Sequence, residues 1–190
     1  MDPLDLTPEQ IAPAFPDAPF ANVAKYWPFV SDALLENRLT SPRIVAYALG
    51  TIAAESAGFE PISEYPSKWN TERTPFDRYE HRANLGNTHP GDGAKFRGRG
   101  FIQLTGRDNY RRYGERINVD LEADPAQANA PRIAAVLLAL FIADRETRIL
   151  DALQAQDYAL ARRLVNGGRH GLGRFKTAYL AVMQVLTTGS

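Results

Sequence analysis

Apolar positions recur with helical spacing along most of the chain, and the segments that carry them open on recognisable start signals. In LTPEQIAPAF, Thr7 stands as N-cap, Pro8 at the first helical position and Gln10 three residues after the cap, which predicts a short helix. FANVAKYWPFVSDALLENRL reads as a helix interrupted near Pro28, because proline lacks an amide donor and disfavours helix at the residue before it. TSPRIVAYALGTIAAES offers Ser41 as cap and Pro42 at the first position of a helix reaching about Ser56, with Gly58 available to end it. Its apolar residues run almost all round, so the helix is expected to be central and buried.

From about Phe59 to Arg99 the periodicity gives way to Pro, Gly, Asn, Asp and Thr with scattered aromatics. A loop of that length is expected to be functional rather than a simple connection. Helical spacing resumes over about Asp108 to Ile117, Pro131 to Leu153 and Tyr158 to Val165, and GRFKTAYLAVMQVL predicts a last helix. The strongest apolar run, Ile133 to Ala143, is too short to span a bilayer and fits a buried helix. No segment alternates convincingly as a strand and no internal repeat is evident. The pattern predicts a mainly α single domain with one long loop-rich insertion.

Composition agrees with an ordinary globular chain, at 190 residues with 44% apolar and 23% charged residues. Lys plus Arg equals Asp plus Glu, 22 against 22, so binding of nucleic acid through overall positive charge is disfavoured. The absence of cysteine excludes disulfides and thiolate chemistry. MDPLDLTPEQ has neither a basic nor an apolar segment of a secretory signal, so the chain is expected to be made in the cytoplasm and to need outside help to cross a membrane.

Candidate chemistry begins with Glu55, in the last predicted turn of an otherwise apolar helix, where the carboxyl faces the negative end of the macrodipole among apolar neighbours. That setting suits a general acid. Glu64 follows nine residues on, past Gly58 and Pro61, in a polar loop. Two carboxyl groups in unlike environments suit the acid and base of glycoside hydrolysis, although Glu60, Glu72, Asp77 and Glu80 leave the second position open from spacing alone. FRGRGFIQLTGRDNY adds two glycines that allow close backbone approach and, in Gln103, Thr105 and Asn109, neutral groups of the kind that position a sugar hydroxyl or a water.

The AAES helix end, the glutamate nine residues later, GRGFIQLTG with its following NY, and LVNGG near the C-terminus together resemble glycoside hydrolase family 19, and within it the phage-type endolysins more closely than the plant chitinases. The resemblance covers roughly Ala21 to Ala181. It implies a lysozyme-like, two-lobed helical fold that hydrolyses β-1,4 linkages next to N-acetylglucosamine with inversion, without metal or cofactor. By position it implies Glu55 as general acid, Glu64 as the base that activates water, and Thr105 as a holder of that water. It further implies Gln103, Asn109 and Asn166 as residues lining the sugar cleft, with Arg174 and Arg99 as further substrate contacts. Ala54 stands where the family often has histidine, and ISEYPSKWN lacks the family's common Glu-Asn pair. The segment 1–20 is expected to be a helical extension of the one catalytic domain, without a separate wall-binding domain, acting as a monomer after holin-dependent release. The loop between Glu64 and Arg99 is expected to close over the sugar.

Charge tilts the choice of substrate. Arg97, Arg99, Arg107, Arg111, Arg112 and Arg116 stand against Asp108 and Glu115, a local excess of four positive charges, and Arg162, Arg163, Arg169, Arg174 and Lys176 form a second cluster. Peptidoglycan carries carboxylates and chitin is neutral, so peptidoglycan is the expected partner and chitin the alternative. A zinc amidase built on His81, His89 and His170 lacks the HExxH spacing. A non-catalytic sugar-binding module on the same fold is the remaining alternative.

Overall fold

The computed structural model describes residues 2–56, 58–66, 76–166 and 171–188, and over them the chain is mainly α-helical. In chain order its principal elements are α1 (Pro8–Ile11), α2 (Phe20–Glu36), α3 (Pro42–Glu55), β1 (Ile62–Ser63), α4 (Asp92–Lys95), β2 (Arg99–Gly100), α5 (Arg107–Ile117), α6 (Pro131–Ala143), α7 (Glu146–Gln154), α8 (Tyr158–Asn166) and α9 (Leu172–Thr188). The expected caps are formed. Thr7 and Gln10 make a reciprocal capping box at α1, and Ser41 Oγ accepts from the Ile44 amide at α3.

Three expectations are corrected. Helix α2 runs unbroken through Pro28, which lies on the exposed face, as does Ala24, whose carbonyl loses its helical donor there and is left to water. The segment 131–153 is two helices divided at Asp144 and Arg145. Arg145 leaves helical geometry and folds back, its Nη1 donating to the Phe141 carbonyl at 3.1 Å and its guanidinium lying 3.7 Å from the Phe141 ring centre. Neither glycine nor proline marks that break. Two short strands also form, β1 and β2, paired antiparallel although neither segment alternates.

The chain divides into two compact units, Met1–Glu60 with Ala135–Ser190, and Pro61–Ala134. The first is built around α3, buried from Ile44 to Ala54. Helix α9 packs along it, and Gly50 allows the approach: a Cβ there would lie 2.9 Å from the Phe175 carbonyl. Tyr47 and Phe175 meet edge to face at 5.4 Å across the same contact. Segment 2–15 belongs to this core, burying Leu6, Ile11, Ala14 and Phe15, and the Trp27 indole donates to the Leu6 carbonyl at 2.7 Å.

The second unit has a small aromatic core of Phe76, Phe96, Phe101, Tyr110 and Tyr113. Strand β1 pairs antiparallel with β2, Ile62 opposite Gly100 and Ser63 opposite Arg99. Asn129 braces both: its Oδ1 accepts from the Gly100 amide at 3.0 Å and its Nδ2 donates to Ser63 Oγ at 2.8 Å. Buried Asp92 accepts from the amides of Thr88 and His89 and from Arg107, which also pairs with Glu122.

Candidate active site

In the second unit the sequence GRGFIQLTG folds into a tight turn that carries most of the candidate residues. Arg99 and Leu104 pair across it, and Gly100 and Gln103 adopt left-handed backbone, with φ of 76° and 51°. Gly100 is required by space as well, since a Cβ would meet the Ala128 carbonyl at 2.7 Å. Gln103 is not a glycine, and its side chain offsets the strain: Nε2 donates to the carbonyls of Ile62 at 3.0 Å and Gly100 at 3.1 Å. The side chain expected to line a sugar cleft thus fastens the turn to β1.

Glu64 follows directly on β1. Its amide donates to the Gly98 carbonyl at 2.8 Å; its Oε1 accepts from the Tyr79 hydroxyl at 3.0 Å and its Oε2 from the Gly98 amide at 3.3 Å. A Cβ on Gly98 would lie 2.7 Å from Gln103 Oε1 and 3.3 Å from Glu64 Oε2, so the first glycine of the motif is what admits the carboxyl. Thr105 Oγ1 donates to the Gln103 carbonyl at 2.9 Å, and Asn109 Nδ2 holds the Thr105 carbonyl at 2.7 Å. With its one proton committed, the Thr105 hydroxyl presents lone pairs and is an acceptor for a water's hydrogen.

Arg99 is placed differently from the sugar contact expected of it. It is 6% exposed, and its Nη1 donates to the carbonyls of Lys95 and Arg97 and, at 2.9 Å, to the Tyr110 hydroxyl. Burial pushes the Tyr110 phenol up to about 12, against the opposing effect of Arg99, so it stays a neutral donor to the Arg97 carbonyl. Other arginines of this stretch are likewise engaged: Arg107 with Asp92 and Glu122, Arg111 with Asp108, and Arg112 with the Tyr113 hydroxyl. The basic patch expected from the sequence is therefore largely consumed by internal partners.

The first unit holds the other candidates. Glu55 is the last residue of α3, its side chain 9% exposed, and its Oε1 accepts from Arg162 Nη2 at 2.6 Å. Beside the apolar neighbours expected from the sequence it thus has a cationic partner. Gly171, with φ of 71°, packs on Ala54 immediately before it. Arg174 is exposed in the first turn of α9 and lines a cavity of about 240 Å³ together with Phe15, Pro16, Ala53 and Thr177. Asn166 ends α8, and its side chain lies outside the described residues, as do Glu72, Arg169, His170 and segment 67–75 of the expected closing loop.

Two partners escape sequence reasoning. Arg162 had a legible signal, because it sits on the apolar stripe Tyr158, Ala161, Arg162, Val165 of an otherwise amphipathic helix. Tyr79, fifteen residues on from Glu64, had none.

The architecture is the mainly helical, lysozyme-like one. No family model matches the chain. Over 105 residues the chain is 30% identical to a glycosyl hydrolase family 19 domain-containing protein of Haemophilus influenzae, covering 55% of this chain and 50% of that protein; the chain spans about half the length of this curated relative. Its fold is similar to that of chitinase C from Streptomyces griseus (TM-score 0.61, 18% identity, 95% of this chain and 76% of that one). It is similar also to that of a bacterial family 19 chitinase (TM-score 0.64, 20% identity, 95% and 94%). The chain is thus similar in part of its sequence to a family 19 domain-containing protein and in its fold to family 19 chitinases.

Proposed function

We propose that the chain is a glycoside hydrolase that cleaves β-1,4 bonds of bacterial peptidoglycan with inversion, as an endolysin does. The observation that carries the proposal is the constellation built by GRGFIQLTG: a carboxylate held by neutral donors and, on the same turn, a threonine hydroxyl oriented as an acceptor. Glu55 donates its proton to the glycosidic oxygen as the bond to the leaving sugar breaks. Glu64 takes a proton from a water whose other hydrogen Thr105 Oγ1 accepts, and that water attacks the anomeric carbon from the opposite face. Inversion requires about 6.5 to 9.5 Å between the two carboxyl groups during the reaction. Gln103, Asn109 and Arg99 act by fixing the turn, and Arg174 and Asn166 by contacting the glycan. The protein works as a monomer and reaches the wall through a holin, which fractionation of cells with and without a holin tests.

A chitin substrate is the second reading, favoured by the names of the two structural relatives, both chitinases. Digestion of purified peptidoglycan and of a soluble chitin oligomer, with mass spectrometry of the products, separates the two. Muropeptides ending in a new reducing sugar support the wall substrate; cleavage of the chitin oligomer alone replaces it with chitin. Cleavage of neither overturns the hydrolase and leaves a sugar-binding module.

A further inference from the structure

Arg162 is fully buried, 0% exposed, yet its guanidinium meets a carboxyl 107 residues away in sequence. Stability alone is a poor account of such a pair. Burying each ion costs several kcal/mol, and apolar replacements of whole buried pairs are often neutral or stabilising. The surroundings instead fix the geometry. The Tyr47 hydroxyl, from α3, donates to the Ala161 carbonyl at 2.8 Å, pinning α8 at the residue before Arg162. Burial raises the Tyr47 phenol far above its ordinary value, against the opposing charge of Arg162 and Arg145, so this donor stays neutral at any working pH. At the end of α3, Gly171 lies so close that its added Cβ would be 3.0 Å from the Ala54 carbonyl. Both ends of the pair are held by backbone.

We infer that Arg162 is a positioning residue for Glu55, orienting its carboxyl and supplying a fixed positive charge against which it releases its proton. The inference rests on Glu55 being the acid of the reaction proposed above. Arginine does not deprotonate in proteins, so Arg162 is no relay: the proton passes from Glu55 to the glycosidic oxygen and the negative charge left behind falls on the carboxyl that Arg162 touches. The attraction therefore grows as the leaving group departs. An interaction stronger in the transition state than in the ground state raises kcat and leaves substrate binding nearly unchanged.

The test compares Arg162→Leu, Arg162→Lys, Glu55→Gln and the double variant E55Q/R162L on the soluble chitin oligomer and on peptidoglycan, with thermal unfolding of each. Arg162→Leu is expected to lower kcat about 100-fold with KM within about threefold, the scale of losing one preorganised charge-stabilising donor. Arg162→Lys, which keeps the charge but not the planar fork, is expected to recover at least about tenfold of that loss. The double variant buries no charge, so it keeps the comparison alive if a single variant fails to fold, and it is expected to be no slower than Glu55→Gln. A kcat for Arg162→Leu within about threefold of wild type, or a double variant slower than Glu55→Gln by the full Arg162→Leu factor, overturns the inference. Full activity in Glu55→Gln overturns the acid assignment itself. An inactive Glu55→Gln beside a fully active Arg162→Leu overturns only the role of Arg162, and a wild-type chain inactive on both substrates overturns the hydrolase and this inference together.

Discussion

Glu55 and Glu64 are both glutamates at the end of a secondary-structure element, and the two are held by opposite means. Glu64 takes its partners from 15 and 34 residues away, a tyrosine hydroxyl and a glycine amide, both neutral. Glu55 takes its partner from 107 residues away, and that partner is a buried cation. Neutral hydrogen-bond donors orient the Glu64 carboxylate, and the Arg97 guanidinium interacts with it through charge alone, without an ion pair, which suits a base that must accept a proton. A fixed cation stabilises the carboxylate that an acid leaves behind. The division of labour proposed for the two residues thus has a physical counterpart in how each is held.

The sharpest way to break that contrast is Glu64→Gln. Its amide oxygen can still accept from Tyr79 or Gly98, so the fold is expected to stand while kcat falls about 10³-fold, within the range for loss of a general base. Near-wild-type hydrolysis by this variant would remove Glu64 from the reaction. Next is Gly98→Ala, whose methyl would sit 2.7 Å from Gln103 Oε1 and force the turn away from Glu64. A displacement near 1 Å costs about 100-fold in kcat, and steady-state kinetics that match wild type would show the close approach to be dispensable.

A stability measurement addresses the frame of the second unit. Burial pushes the Asp92 carboxyl up, but hydrogen bonds from Arg107 and the His89 amide outweigh it and hold the group below the usual carboxylate range. Because the folded value lies below the unfolded value of about 3.9, its stabilisation is fully present at neutral pH and is lost as pH falls through the folded value. Asp92→Asn is expected to lower stability by about 2 to 4 kcal/mol at pH 7, by denaturant unfolding, and to flatten the acid limb of stability against pH. An unchanged acid limb would show that Asp92 does not supply it. The smallest effect is expected of Tyr79→Phe, which removes one neutral hydrogen bond from Glu64, worth about 1 kcal/mol, and so lowers kcat about fivefold to tenfold. A loss as large as that of Glu64→Gln would make Tyr79 more than a support.

Helices with local signals were legible in the sequence. The capping box at Thr7, the Ser41-Pro42 start and the all-round apolar face of α3 are determined by neighbours within a turn or two, and the structure forms them. What the sequence hid depends on tertiary position. Pro28 is tolerated because it happens to face outward, and the break at Arg145 depends on a side chain folding back on Phe141. The same division runs through the candidate site. The GRGFIQLTG turn is local, so its glycines and Thr105 were readable as a unit. The roles of Arg99, Gln103 and Asn109 within it were not, because residue type alone does not say whether a donor faces a ligand or a carbonyl of its own backbone. Arg162 was marked by its place on an apolar stripe, but its partner became visible only once α3 and α8 were packed.

In the mechanism proposed above, Glu55 protonates the glycosidic oxygen while Glu64 activates a water that attacks the anomeric carbon directly, so the product first appears with inverted configuration. Proton NMR of the anomeric region during the first moments of hydrolysis of a soluble chitin oligomer or muropeptide chain reads this directly. The account predicts that the α-anomer forms first and mutarotates toward equilibrium; a β-anomer formed first would mean retention, and would contradict Glu64 as the base that activates water.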